Sequence, residues 1–190
     1  MHVKPVVLEG RYVRLEPLSP EHAALAEITE GFEFLQREPF DQWFPVAQAS
    51  SDPLFFAAVV DGKAVGRASI LRMEPGHRVA EIGHILWGPA MRRTPASTEA
   101  VFLLCDYLFG LGARRVEWKC NNLNEASKAA AQRIGFTFEG VFRQHMIVNG
   151  ESRDTAWFSL LDHEWPARRE AITAWLDPAN FDQGQQRRAL

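Results

Sequence analysis

The alternation of strand-like and helix-like runs between Val79 and Leu160 constrains the fold of this chain more than any single motif. Val79 to Trp87 reads as a strand ended by Gly88-Pro89. Ser97-Thr98-Glu99 then opens a helix whose Ala100, Leu103, Leu104, Tyr107, Leu108 and Leu111 share one face, with Gly110 and Gly112 closing it. Arg114 to Cys120 forms the next strand, and Asn124-Glu125-Ala126-Ser127 caps a second helix that stops at Gly135. Phe136 to Val148 and Ser152 to Leu160 flank Asn149-Gly150, a pair preferred in hairpin loops because both positions accept positive φ. A strand-helix-strand-helix-strand order predicts a parallel pair in this half.

The first half has a different grammar. Arg11 to Glu16 suits a short strand, Ser19-Pro20 opens a helix over Ala23 to Ile28, and Leu54 to Val60, Ala64 to Met73 and Val79 to Trp87 are joined by Asp61-Gly62 and Pro75-Gly76. Three such strands in succession form an antiparallel meander, so the class is α/β in the mixed, α+β sense. Residues 31 to 53 hold Phe32, Phe34, Phe40, Trp43 and Phe44, interrupted by Pro39, Pro45 and Pro53, which predicts short helices or loops. Asp162 to Leu176 fits a closing helix whose regular part starts near Pro166, and the end beyond about residue 178 reads as a flexible, frayed tail.

The 190 residues, 46% of them hydrophobic and 24% charged, fit one domain over 1–190, with no linker or internal repeat to divide it. A chain of this length buries about 70% of its unfolded surface, so a core needs neither disulfide nor metal. Cys105 and Cys120 lack zinc-like or redox spacing and read as buried thiols; no metal site is expected. A net charge of -3 gives no overall reason to bind nucleic acid. Lys4, Pro5 and Glu9 interrupt the start, and no run reaches the ~18 apolar residues of a membrane span, so a soluble cytoplasmic protein without membrane partners is the expectation.

Glu81 to Ala100 is the most informative stretch for chemistry. A strand ends at Trp87, and a loop with Arg92 and Arg93 leads into the helix near Ser97 and Thr98. Free backbone N–H groups in a first helical turn, the positive end of the macrodipole, hydroxyls and guanidinium forks all suit a phosphate. An ordinary capped helix with solvated arginines fits the same residues.

These pieces, with Leu8-Glu9-Gly10-Arg11-Tyr12-Val13-Arg14-Leu15, Glu81-Ile82-Gly83-His84, Asn121-Asn122-Leu123-Asn124-Glu125-Ala126-Ser127 and Gly135-Phe136, carry a resemblance. Over residues 8 to 165 the chain resembles the Gcn5-related N-acetyltransferase superfamily, particularly the branch of ribosomal-protein N-terminal acetyltransferases related to RimJ and RimL. The resemblance implies a GNAT fold, a mixed central sheet of about seven strands splayed between the fourth and fifth and flanked by helices. It also implies acetyl-CoA as co-substrate and a primary amine, on a protein N-terminus or a small molecule, as the group acetylated. Homodimers are common in that branch.

Residue by residue, the resemblance puts the pantetheine arm along Leu86, Trp87 and Gly88, and one residue more between Gly83 and Pro89 than in many relatives is compatible with a bulge. The pyrophosphate falls on Arg92, Arg93, Thr94, Ala96, Ser97 and Thr98, although Pro95 replaces a glycine there and removes an amide. Asn124 either contacts the arm or only caps its helix. Ser127 takes the role of acid toward the departing thiolate, because Ala131 stands where the superfamily's tyrosine would be. Glu81 and His84 are candidate bases that strand alternation puts on opposite faces unless a bulge intervenes. His145 is a further candidate, since Met146 stands where the branch has a carboxylate. Phe40, Trp43, Phe44, Arg153 and Trp157 border the expected amine site, and the aromatics suit a core equally well. A catalytically silent acyl-CoA-binding module is the alternative in a different functional class.

Overall fold

A computed structural model describes residues 1–29, 38–182 and 185–190. In chain order its elements are β1 (Leu8–Glu9), β2 (Arg14–Pro17), α1 (Leu25–Thr29), α2 (Phe40–Ala49), β3 (Leu54–Val60), β4 (Lys63–Glu74) and β5 (Val79–Trp87). There follow α3 (Pro95–Gly110), β6 (Arg115–Asn121), α4 (Glu125–Ile134), β7 (Thr137–Val148), β8 (Glu151–Leu161), α5 (Trp165–Trp175), β9 (Phe181–Asp182) and β10 (Gln185–Gln186). Eight strands form one sheet in the order β1-β2-β3-β4-β5-β6-β8-β7, in which only β5 and β6 run parallel. Both expected hairpin turns are present, with φ of 49° and 74° at Asp61 and Gly62 and 53° and 81° at Asn149 and Gly150. The dense Phe32 and Phe34 lie outside the described residues.

β3 shows why its sequence is apolar at every position. Leu54, Phe56 and Ala58 join the main core with α3 and α5, whereas Phe55, Ala57 and Val59 join a second cluster with Leu25 of α1 and Phe44 and Ala47 of α2. A strand covered on both faces reads as continuous rather than alternating. Further along the sheet the second face turns polar, and Arg67, Ser69, Glu81, Thr155 and Ser159 are buried there.

Three local features differ from the sequence expectation. The α3 helix begins at Pro95 instead of near Ser97, because Thr94 is its N-cap and proline's fixed φ suits the first helical position. The opening motif is more than a strand: the amides of Arg11, Tyr12 and Val13 donate to the Glu99 carboxylate at 2.8, 2.6 and 3.0 Å. A Cβ on Gly10 would fall 2.5 Å from that carboxylate, which is why a glycine stands there. Near the C-terminus the described residues make specific contacts. Asn180 is buried and donates to the Trp175 carbonyl at 2.9 Å, β9 pairs with β10, and Phe181 packs edge-on against Trp175 and Tyr12. One aromatic anchor in a Gln- and Arg-rich stretch is a weak sequence signal, which is why that end reads as frayed. Among the described residues no helix is long and apolar enough to cross a membrane.

Candidate active site

β5 and β6 pair only through Val79↔Arg115, Ala80↔Val116 and Glu81↔Glu117. Beyond them β5 stays on β4 as far as Gly66↔Trp87, and β6 stays on β8 as far as Asn121↔Thr155. The two strands therefore diverge, and residues 82–87 face 118–121 across an opening whose main-chain groups have no ladder between them. Such edges accept an extended, amide-bearing ligand as an added strand.

A bulge sits inside this stretch of β5. The register passes from Ser69↔Gly83 to Arg67↔Leu86, so β5 advances one residue more than β4, and His84 takes φ 50°. The bulge falls within the Gly83 to Pro89 stretch where the sequence has its extra residue, at His84 and not at Leu86-Trp87-Gly88: Leu86 and Trp87 are in register and the Gly88 amide donates to the Val65 carbonyl at 2.8 Å. The displacement matters for chemistry. It brings His84 onto the face already holding Glu81, which strict alternation would forbid.

On that face Glu81 is 2% exposed, with Lys119 Nζ at 3.1 Å and Arg72 Nε at 3.5 Å from its Oε2. Burial pushes its pKa up against the pull of both cations. His84 moves the other way: burial first, then the charges of Arg67 and Lys119, push it down to about 4. Its Nδ1 lies 2.8 Å from the Ser69 hydroxyl, which donates to the Gly83 carbonyl at 3.2 Å. With the Ser69 hydroxyl donating to Gly83, the matching tautomer carries its proton on Nδ1 and its lone pair on Nε2. His145 lies in a second bulge between Phe142↔Thr155 and Met146↔Arg153, its Nδ1 3.0 Å from Thr155 Oγ1 and its ring 5.9 Å from that of Trp157.

Two aromatic walls flank these groups. Trp43 receives the Arg67 guanidinium at 4.1 Å and meets Phe55, which in turn lies 5.2 Å from the His84 ring. Trp157 carries Lys119 at 5.1 Å and Arg72 at 5.6 Å over its ring. Phe44 is buried in the second cluster, and the half-buried Phe40 stacks on it and meets Trp43.

At the mouth of the opening Asn124 caps α4 by accepting from the Ser127 amide at 3.0 Å. The Ser127 hydroxyl accepts from the Trp118 indole N–H at 3.0 Å and keeps its own O–H as a donor. It also lies against Cys120, where its hydrogen bond partly offsets the rise that burial imposes on the thiol. On the other side, Arg92 Nε donates to the Trp87 carbonyl at 2.8 Å. Thr94 and Ser97 donate their hydroxyls to the carbonyls of Met91 and Thr94 at 2.8 and 2.9 Å, and Thr98 is buried against Arg133. The free donors at this helix start are thus the amides of Ala96 and Ser97, not the hydroxyls. Arg93, Thr94, Pro95, Arg133, Trp175 and Phe181 line a cleft of about 520 Å³ beside them.

The whole arrangement has known counterparts. Residues 21–136 match the model of the acetyltransferase (GNAT) family, more than half of the chain. The chain belongs to this family. A GNAT crystal structure from Brucella melitensis is 47% identical, with a TM-score of 0.91 over 98% of this chain and 93% of that one. YdaF of Bacillus subtilis (strain 168), provisionally named a ribosomal N-acetyltransferase, is 34% identical over 57% of this chain and 60% of its own length. The chain thus aligns with less than two thirds of that curated relative. RimJ of Mycobacterium smegmatis, solved in complex with CoA-disulfide, shares the fold at 21% identity, TM-score 0.74, over 88% of this chain and 90% of that one.

Within the GNAT frame, Pro95 costs less than its sequence position suggests, because the first helical position has no internal partner for an amide. Ala131 is fully buried in the core, far from carrying an acid. Sequence reasoning missed Trp118, Lys119, Arg72 and Ser69. Alternation along β6 puts Glu117, Lys119 and Asn121 on one face, and that pattern pointed to Lys119 had it been followed.

Proposed function

We propose that this GNAT chain transfers an acetyl group from acetyl-CoA directly to a primary amine, and that the amine is a protein N-terminus of the ribosomal-protein type. The divergence of β5 from β6 after Glu81↔Glu117 carries the reading, since it opens main-chain groups beside Ser127 on one side and Glu81 and His84 on the other. The residues fit the co-substrate: an amide-bearing arm matches the two free edges, the amides of Ala96 and Ser97 suit a pyrophosphate, and the cleft beside Arg93 and Arg133 has room for a nucleotide. Acetyl-CoA supplies the activated acyl group and a thiolate leaving group.

The side chains divide the proton work. Glu81, raised by burial, and the Nε2 lone pair of His84 are placed to take a proton from an amine entering between Trp43 and Trp157. A base at about 4 holds a proton weakly, so His84 serves best as a relay and Glu81 as the stronger partner. Ser127, held by Trp118, directs its hydroxyl proton toward the leaving sulfur. Arg153 and Trp157 bound the amine site on β8. A homodimer is part of the same reading, because β7 is an edge strand exposing Phe142 and Ile147.

The test is a thiol-release assay with acetyl-CoA over protein N-terminal peptides and small amines, run beside calorimetry with acetyl-CoA. Turnover on N-terminal peptides supports the proposal. Tight binding with no turnover on any amine replaces it with the silent module.

A further inference from the structure

The polar groups around Trp157 are unbalanced in a way the proton chemistry does not use. Among the described residues the carboxylates around it are engaged: Glu81 by Lys119 and Arg72, Glu117 by Arg115 at 2.8 Å, Glu139 by Arg115 and by Ser159 at 2.6 Å, and Asp154 by the Gln144 amide at 2.7 Å. The donors are not. Trp157 is 9% exposed, and its indole N–H is buried without a hydrogen-bond partner among the described residues. The Nε of Arg153 is likewise buried and unpartnered. Lys119 and Arg72 lie over the Trp157 ring and share the carboxylate of Glu81. Arg153 belongs to the same group: its charge, with those of Lys119 and Arg72, bears on His145.

A buried N–H without a partner is costly, so unmet donors beside Lys119 and Arg72 mark a place for an anionic hydrogen-bond acceptor. We infer that the amine substrate carries a carboxylate that docks between Arg153, Lys119 and the Trp157 indole N–H. This rests on the acetyl-transfer reading and narrows it. An N-terminus followed by acidic residues presents such a group beside its amine, and a basic or polycationic amine meets like charge.

The experiment compares peptides beginning Ser-Glu-Glu, Ser-Ala-Ala and Ser-Lys-Lys, and glycine with glycinamide, as substrates of the full chain with acetyl-CoA. The acidic peptide should exceed the neutral one in kcat/KM by roughly tenfold, with the lysine peptide lowest and high salt eroding the difference. Glycine over glycinamide would place the carboxylate on a small molecule as well as on a peptide. Arg153→Gln should collapse the acidic-over-neutral ratio and Arg153→Lys should keep most of it. Equal or better use of the lysine peptide, or a ratio unchanged in Arg153→Gln, overturns the inference. Calorimetry of the same peptides on the CoA-loaded protein decides the charge preference even if no acetyl transfer occurs. Acidic-selective binding without transfer would sink the transferase reading alone, and indifferent binding would sink this one.

Discussion

Lowering the pH tests the environment of His84 most directly. Its ring is wedged between Phe55 and Ser69 and its pKa falls from 6.5 to about 4, so the folded protein resists a proton that the unfolded chain takes up readily. The sign follows from linkage: the stability from this group is complete above the unfolded value of 6.5 and is lost as pH falls toward the folded value of about 4. At about 1.4 kcal/mol per pH unit, the loss between pH 7 and pH 4.5 is about 2.5 kcal/mol. Urea unfolding at both pH values, for the wild type and for His84→Asn, isolates the term. Asparagine tolerates the left-handed backbone at this position and cannot titrate. The wild type should lose about 2.5 kcal/mol more than the variant over this interval. An identical pH slope in both proteins would refute the buried, neutral histidine.

Other substitutions probe separate parts of the account. Ser127→Ala should lower kcat while leaving acetyl-CoA affinity within about twofold, and equal loss of both would make Ser127 a binding residue instead. Glu99→Ala strands the amides of Arg11, Tyr12 and Val13, so chemical denaturation should report a loss of about 3 kcal/mol or more, whereas a surface-like change below about 0.5 kcal/mol would deny the clamp. Gly88→Ala puts a Cβ 2.6 Å from the Val65 carbonyl, a backbone atom with little freedom, and should destabilise by about 1 to 3 kcal/mol in the same assay.

The parts of the fold legible in the sequence are those set by local chemistry. Asp61-Gly62 and Asn149-Gly150 demand positive φ, Gly135 ends α4 in the left-handed conformation, and the spacing of apolar residues marks α3. The active region was legible by position but not by geometry. No residue preference announces a bulge at His84, since histidine adopts positive φ only occasionally, and the ladder pairing of Leu86 and Trp87 is decided by β4. The same holds for pairs that meet across the sheet. Glu81 and Lys119 come together only because β5 and β6 are parallel neighbours, and burial then reverses the ranking of bases that free pKa values suggest, raising Glu81 and lowering His84. Aromatics show the remaining limit: Trp43 and Trp157 face the polar site while Phe44 fills the core, and composition does not separate them.

A crystal structure with CoA bound would show what occupies the gap between β5 and β6. The pantetheine arm should lie along residues 82–87 of β5, opposite 118–121 of β6, with its sulfur beside the Ser127 hydroxyl. Strands closed against each other along that length, or CoA held away from Ser127, would contradict this placement.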